Sequence, residues 1–102
     1  MNQDLNYILT TSSGTANQTV SGYKNRKLVL IYVKPFTAST QYDLFITDKN
    51  SAVIYKNTGV VGTFIDTTNL PTYTYGNFTF SLANATADEA FTLILVFSEE
   101  AF

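Results

Sequence analysis

An uninterrupted apolar run, LVLIYV at residues 28–33, most strongly limits what this chain can fold into. The run is too short to cross a membrane as a helix, and it is rich in β-branched residues, which favour strands. Lys34 and Pro35 end it, because the residue before a proline is pushed toward extended conformations. The run therefore predicts a strand. Alternation predicts one face with Leu28, Leu30 and Tyr32 and an opposite face with Val29, Ile31 and Val33.

Both predicted faces of this strand are apolar, although a strand in a two-layer sandwich needs only one apolar face. The second face must be covered either by the N-terminal residues 1–20 or by a second chain. We expect a cover that is complete only in an assembly, since contiguous exposed apolar patches usually mark interaction sites. A monomer that already buries Val29, Ile31 and Val33 under its own chain would argue against this expectation.

The rest of the chain also favours strands. A second apolar run, LILVF, occupies residues 93–97, and turn-forming residues recur roughly every 8–12 positions. No apolar stripe at helical spacing occurs in the sequence. We therefore predict an all-β fold: an antiparallel β-sandwich, jelly-roll-like or immunoglobulin-like, with about 7–8 short strands. The runs at 28–33 and 93–97 are expected to be neighbours in its core.

Turn signals divide the middle and the end of the chain into short strands, predicted at residues 41–47, 52–56, 60–65, 78–83 and 90–98. A hairpin turn at residues 48–51 (DKNS) joins the first two, because Asp and Asn bond their own backbone in turns. A second turn is predicted at residues 57–59 (NTG).

The 102 residues are enough for a single domain. We divide it into an extended N-terminal arm or edge strand (residues 1–22), the β-sandwich (23–98) and a C-terminal tail (99–102). The first residues lack the basic start and the apolar stretch of a signal peptide, so synthesis in a cytosol is expected.

The residue types most often used in catalysis and metal binding are missing from the sequence. It contains no histidine and no cysteine, which removes the commonest general base, the commonest metal ligand and thiol chemistry. We therefore expect no enzyme activity, no catalytic residue, no cofactor and no metal site. A net charge of -2 without a block of basic residues argues against nucleic-acid binding, and no run is long enough to span a membrane.

Two alternatives to a structural role remain open at this point. Asp43, Asp48 and Asp66 could converge as the carboxylates of a hydrolase, although turn and strand chemistry also explains them. A carbohydrate- or receptor-binding module of a phage tail or an adhesin would instead need a platform of tyrosine rings, with Tyr7, Tyr23, Tyr73 and Tyr75 as the candidates. Core packing and cross-strand pairing are the more common roles of such rings.

Four segments carry a resemblance to a known class of protein: YDLFITD at 42–48, IY at 54–55, TGVVG at 58–62 and GNFTFSLANAT at 76–86. This order of hairpin patterns resembles that of small all-β virion proteins of tailed bacteriophages, of the capsid decoration (cement) type. The resemblance covers residues 40–97. It implies a structural protein, many copies of which bind the capsid exterior and reinforce contacts between major capsid protein hexamers and pentamers.

The resemblance also implies partners and a location. The protein would be made in the host cytoplasm, would be located on the virion, and would bind major capsid protein and itself as a homo-oligomer, often a trimer. It implies no catalytic residue, nucleic acid or membrane. We expect contacts with a neighbour in the N-terminal strand, in the basic cluster before the apolar run and in the tail. The candidate interface residues are Leu5, Tyr7, Leu9, Lys24, Arg26, Lys27, Glu99, Glu100 and Phe102.

Overall fold

Eight strands make up the part of the chain that the computed structural model describes, residues 3–21, 27–68, 70 and 77–98. They are β1 (Gln3–Thr10), β2 (Ala16–Ser21), β3 (Leu28–Pro35), β4 (Gln41–Thr47), β5 (Val53–Val61), β6 (Phe64–Asp66), β7 (Asn77–Ala83) and β8 (Ala90–Phe97). Within these residues, no helix is long and apolar enough to cross a membrane.

The strands form two four-stranded sheets. Sheet I has the order β1-β8-β3-β6 and sheet II the order β2-β7-β4-β5, and every pairing is antiparallel. The first strand therefore pairs with the last, the second with the seventh, the third with the sixth and the fourth with the fifth. This is a strand ribbon rolled up on itself, which is the topology of a jelly roll. The predicted all-β antiparallel sandwich is confirmed, and its strand order is jelly-roll-like rather than immunoglobulin-like.

The two apolar runs lie side by side in sheet I, as predicted. β3 pairs with β8 so that Ile31 is opposite Leu95, and both side chains are fully buried. Sheet II contributes the other half of the core, with the inward-facing side chains Tyr42, Leu44, Ile46, Tyr55, Phe78, Phe80 and Leu82. Tyr42 and Phe91 connect the two layers, because their rings meet edge to face with centroids 5.1 Å apart.

The predicted division of β3 into two faces holds for residues 30–33 but is wrong for Leu28, because the strand contains a bulge. Leu28 pairs with Phe97 and Leu30 pairs with Val96, so Val29 is an extra residue that shifts the alternation. Leu28 consequently faces the core on the same side as Ile31 and Val33, and all three are fully buried. This burial argues against the expectation that a second chain covers Ile31 and Val33. The outward apolar residues of β3 are instead Leu30 and Tyr32.

The predicted arm or edge strand of residues 1–22 includes the first strand of each sheet. β1 lies at the edge of sheet I beside β8, and β2 lies at the edge of sheet II beside β7. Between them the chain turns at Ser13 and Gly14, whose φ angles are 53° and 78°. The Asp88 carboxylate stabilises this turn by accepting hydrogen bonds from both backbone N–H groups, at 3.1 and 2.9 Å.

The hairpin turn predicted at residues 48–51 is confirmed. The Asp48 side chain accepts hydrogen bonds from the N–H groups of Asn50, at 2.8 Å, and Ala52, at 3.0 Å. Ser51 has a φ of 65°, the left-handed conformation that closes the turn.

The turn predicted at residues 57–59 is wrong, as is the separate strand predicted at 60–65. β5 continues to Val61, and its register against β4 shifts at this point through a bulge. The Asp43 carboxylate stabilises the bulge by accepting hydrogen bonds from the Asn84 side-chain amide, at 2.7 Å, and from the Gly59 N–H, at 2.9 Å. The chain instead turns after β5, at Gly62, and β6 then joins sheet I.

Gly62 is required by the backbone of the turn between β5 and β6. Its φ of 69° lies in the left-handed region, and a Cβ atom there would lie 2.7 Å from the carbonyl oxygen of Ala38. Its own carbonyl oxygen accepts a hydrogen bond from the buried Tyr42 hydroxyl at 2.6 Å, and its N–H donates to the Thr40 carbonyl oxygen at 3.0 Å. The residue therefore connects the turn to β4.

We expect Gly62→Ala to lower the free energy of unfolding by about 2–4 kcal/mol, because steric overlap adds to the cost of a left-handed backbone. Gly59→Ala is the matched control, since its φ is 65° but an added Cβ meets only the Gln41 side chain, at 3.6 Å. That variant should lose about 1–2 kcal/mol. Urea denaturation followed by circular dichroism measures both values, and equal losses would contradict the steric explanation.

Glu89 connects the start of β8 to the loop between β3 and β4. Its carboxylate accepts hydrogen bonds from the Thr37 N–H, at 2.9 Å, and from the Thr40 hydroxyl, at 3.0 Å. The bond from the Thr37 backbone is the main reason why the pKa of Glu89 lies below its ordinary value of 4.5. A carboxyl with a lowered folded-state pKa stabilises the fold above its unfolded-state pKa. That contribution is lost as the pH falls through the folded-state pKa.

Glu89→Gln should therefore reduce the pH dependence of stability on the acid side. We expect the variant to be less stable than the parent protein at neutral pH, with the difference shrinking as the pH falls through and below 4.5. Thermal unfolding midpoints measured across this pH range test the prediction. A constant difference at every pH would show that the lost hydrogen bonds matter but the charge does not.

Candidate interaction surface

The solvent-facing side of sheet I, called here the outer face, carries the side chains that alternate with the core residues. Register along the four strands defines it without ambiguity, since paired residues of neighbouring strands point to the same side. Its members are Asp4, Asn6, Ile8 and Thr10 of β1, Thr92, Ile94 and Val96 of β8, Leu30, Tyr32 and Lys34 of β3, and Ile65 of β6.

Six apolar side chains on this outer face are called here the apolar stripe: Ile8, Leu30, Tyr32, Ile65, Ile94 and Val96. Ile8 is the diagonal neighbour of Ile94, since its direct partner is Thr92. Tyr32 lies between Ile94 on one side and Ile65 on the other, as a direct cross-strand neighbour of both. Leu30 and Val96 form the adjacent pair. Ile8 and Ile65, on the two edge strands, are 67% and 60% exposed, so no described segment of the chain covers the ends of the stripe.

The solvent-facing side of sheet II is different in character. Its paired positions are mainly small and polar, as in the rows Thr19–Thr79–Thr47 and Asn17–Ser81. Apolar exceptions there are Phe45, half-buried between Ser81 and Lys56, and the β5 residues Val53 and Val61, which are 56% and 58% exposed. An antiparallel sheet that faces only water is expected to look like sheet II. The apolar residues of sheet II lie on β4 and β5, whereas the apolar stripe includes residues of all four strands of sheet I, which makes sheet I the candidate contact side.

One end of the outer face carries an exposed aromatic ring beside a hollow. Phe36 follows β3 and is 84% exposed. The hollow has a volume of about 340 Å³ and is lined by Lys34, Pro35, Phe36, Ala90 and Thr92. A large ring held in water next to a recess is a common anchor in protein interfaces.

All three predicted interface residues of β1 point away from the outer face. Leu9 is buried in the core, and Leu5 and Tyr7 pack against it half-buried. The outward residues of β1 are the even-numbered ones, among which Ile8 is the apolar residue that the sequence reasoning missed. Alternation along residues 3–10 was the signal that could have found it.

Of the other predicted interface residues, the structure describes Lys27. Lys27 is half-buried immediately before β3, and its N–H donates to the Ser98 hydroxyl at 3.3 Å. The remaining candidates fall outside the described residues: Lys24, Arg26, Glu99, Glu100 and Phe102. Their role in contacts stays a prediction.

The three candidate hydrolase carboxylates have structural partners in separate places. Asp48 closes the 48–51 hairpin and Asp43 supports the bulge of β5. Asp66, in β6, accepts hydrogen bonds from the Tyr55 hydroxyl at 2.5 Å and from the Thr68 N–H at 3.0 Å. Burial and the Asp66 contact raise the pKa of Tyr55 well above its ordinary value.

The structure describes one of the four tyrosines of the predicted sugar-binding platform. Tyr7 packs against the core, and the other three candidates, Tyr23, Tyr73 and Tyr75, lie outside the described residues. Carbohydrate or receptor binding therefore stays a prediction. Among the described residues, no group of three or more acidic side chains could hold a metal ion.

Comparison with known proteins finds similarity in structure and not in sequence. No protein-family model matches the chain, and no curated protein does. A solved structure of PliG, a periplasmic inhibitor of g-type lysozyme from Aeromonas hydrophila, is 14% identical, with a TM-score of 0.51 over 95% of this chain and 86% of that one.

Two further solved structures are similar with lower scores. A chain of the capsid asymmetric unit of cyanophage Pam1 is 17% identical, with a TM-score of 0.48 over 94% of this chain and 80% of that one. The carbohydrate-binding module CBM36, solved with calcium and xylotriose, is 15% identical, with a TM-score of 0.40 over 89% of this chain and 76% of that one. At such identities the likeness concerns the fold alone.

Truncating Ile94 and Leu95, which are neighbours in β8, should show which of the two side chains contributes to the core. Leu95 is fully buried, so Leu95→Ala should lower the free energy of unfolding by about 2–5 kcal/mol. Ile94 lies on the outer face, and Ile94→Ala should cost about 1 kcal/mol or less. Urea denaturation at low protein concentration, where association contributes least, measures the two losses. Similar values would contradict the assignment of the two faces.

Proposed function

We propose that this chain is a structural virion protein, which decorates and stabilises a tailed-phage capsid by binding the major capsid protein. The observation that carries the proposal is the apolar stripe on the outer face of sheet I. Exposed groups of apolar side chains usually mark interaction sites, and in a free monomer they promote aggregation. A component of a permanent assembly has that face covered.

The resemblance to small phage virion proteins supports the same proposal. Its segments coincide with the β4–β5 hairpin and with β7 and the loop that follows it. Asp43 of the first segment and Asn84 of the last are joined by a hydrogen bond of 2.7 Å. The pattern therefore combines residues that act together in this fold, which is more informative than separate turn signals.

The proposal assigns binding and no catalysis to the protein. It would act on the capsid exterior as a homo-oligomer, without a cofactor, after synthesis in the host cytoplasm. Contacts with the major capsid protein would come from the segments 24–27 and 98–102. The outward residues of β1 belong to the outer face of sheet I, which is left for a different contact. The basic residues of 24–27 would meet acidic positions on the capsid surface.

Binding to bare capsids tests the proposal. The purified protein, mixed with capsids of a phage whose genome encodes it, should cosediment with them in a saturable, stoichiometric way and should raise their temperature of disruption. Capsids that sediment without the protein at micromolar concentration would overturn the proposal.

Charge reversal tests the predicted contact segment. The triple variant Lys24→Glu, Arg26→Glu, Lys27→Glu should bind capsids at least about tenfold more weakly, because favourable charge pairs become repulsive. The double variant Lys49→Glu, Lys56→Glu changes charges on the sheet II side and is the matched control, with binding expected to be unchanged. Cosedimentation at several salt concentrations measures both. Equal weakening in the two variants would show that the 24–27 cluster is not a specific contact.

A further inference from the structure

We propose that the apolar stripe is covered by a second copy of this chain, packed face to face on the outer face of sheet I about a two-fold axis. This inference specifies the homo-oligomer of the proposed function and rests on that part of it. The stripe crosses all four strands of sheet I, and its ends, Ile8 and Ile65, are the most exposed of its residues. Its occupant must therefore present an apolar surface of similar shape, and the same stripe on another copy is such a surface.

The charged residues beside the stripe favour a second copy of this chain as the partner that covers it. Among the described residues of the outer face, only Asp4 and Lys34 are charged, and neither forms an ion pair within that part of the chain. Asp4 is level with Val96 of β8, whereas Lys34 is level with Thr92, two outward positions further along the strand. The two opposite charges therefore lie at diagonal corners of the stripe.

In a dimer with a two-fold axis, these two residues can form two pairs of opposite charge between the copies. In a symmetric dimer, if residue i of one copy contacts residue j of the other, residue j of the first also contacts residue i of the second. Asp4 of each copy can then meet Lys34 of the other copy, with the apolar stripes packed between the two pairs. A surface with one acidic and one basic corner is complementary to itself, so no foreign partner is needed to explain it.

Charge swapping gives a decisive test. Asp4→Lys and Lys34→Asp should each weaken self-association at least about tenfold, because both diagonal pairs become like-charged. The double variant Asp4→Lys, Lys34→Asp should recover it. An equimolar mixture of the two single variants should form a heterodimer, because one copy then has two basic corners and the other copy has two acidic corners. Sedimentation velocity at low ionic strength measures all four samples, since surface charge pairs weaken in salt.

A second pair of variants tests the apolar stripe itself. Ile65→Lys places a charge in the stripe at a position that is 60% exposed, so the fold should be retained. Ile54→Lys makes the same change on β5 of sheet II, at a position that is 38% exposed, and is the matched control. We expect Ile65→Lys to remain monomeric at concentrations where the control and the parent protein are dimers, with unchanged circular dichroism in both.

The oligomeric states of these samples test the dimer and its symmetry, and capsid binding tests the proposed function separately. A parent protein that stays monomeric up to high micromolar concentration, a trimer, or a dimer insensitive to Ile65→Lys would overturn this inference. Failure of the mixed single variants to associate would overturn the two-fold arrangement. A dimer with the expected variant behaviour but without capsid binding would support this inference and would overturn the proposed capsid function, so the two failures are distinguishable.

Discussion

The pairing of β3 with β8 supports the rest of this structure. These two strands contain the longest apolar runs of the chain and occupy the centre of sheet I. β1 adds to β8 and β6 adds to β3, so both edges of the sheet depend on the central pair. The inward side chains of the pair, among them Ile31 and Leu95, form half of the core against which sheet II packs. Burial of these apolar side chains is the largest favourable term in folding.

A single extra residue in β3 determines which side chains of the apolar run face the core and which face outward. Side chains alternate along a strand, so inserting one residue moves every following side chain to the opposite face. The bulge at Val29 therefore brings Leu28 into the core beside Ile31 and turns Leu30 and Tyr32 outward. The excess of apolar residues seen in the sequence is real, but it appears on the outer face through Leu30 and Tyr32.

The acidic side chains of this fold are used mainly to stabilise its turns. The carboxylates of Asp43, Asp48, Asp88 and Glu89 each accept a hydrogen bond from a backbone N–H group in a turn, a bulge or a loop. Such bonds satisfy backbone donors that the strand ladders leave free.

Local chemistry determined which segments are strands and where the simplest turn lies. The strand at 41–47 and the DKNS hairpin at 48–51 follow from preferences of residues close together in sequence, and both were predicted. The bulges at Val29 and near Gly59, the jelly-roll order and the identity of the outward residues were decided only by tertiary structure. Their physical reason is strand register, which depends on a partner strand far along the chain: Leu28 faces the core because Phe97 lies opposite it.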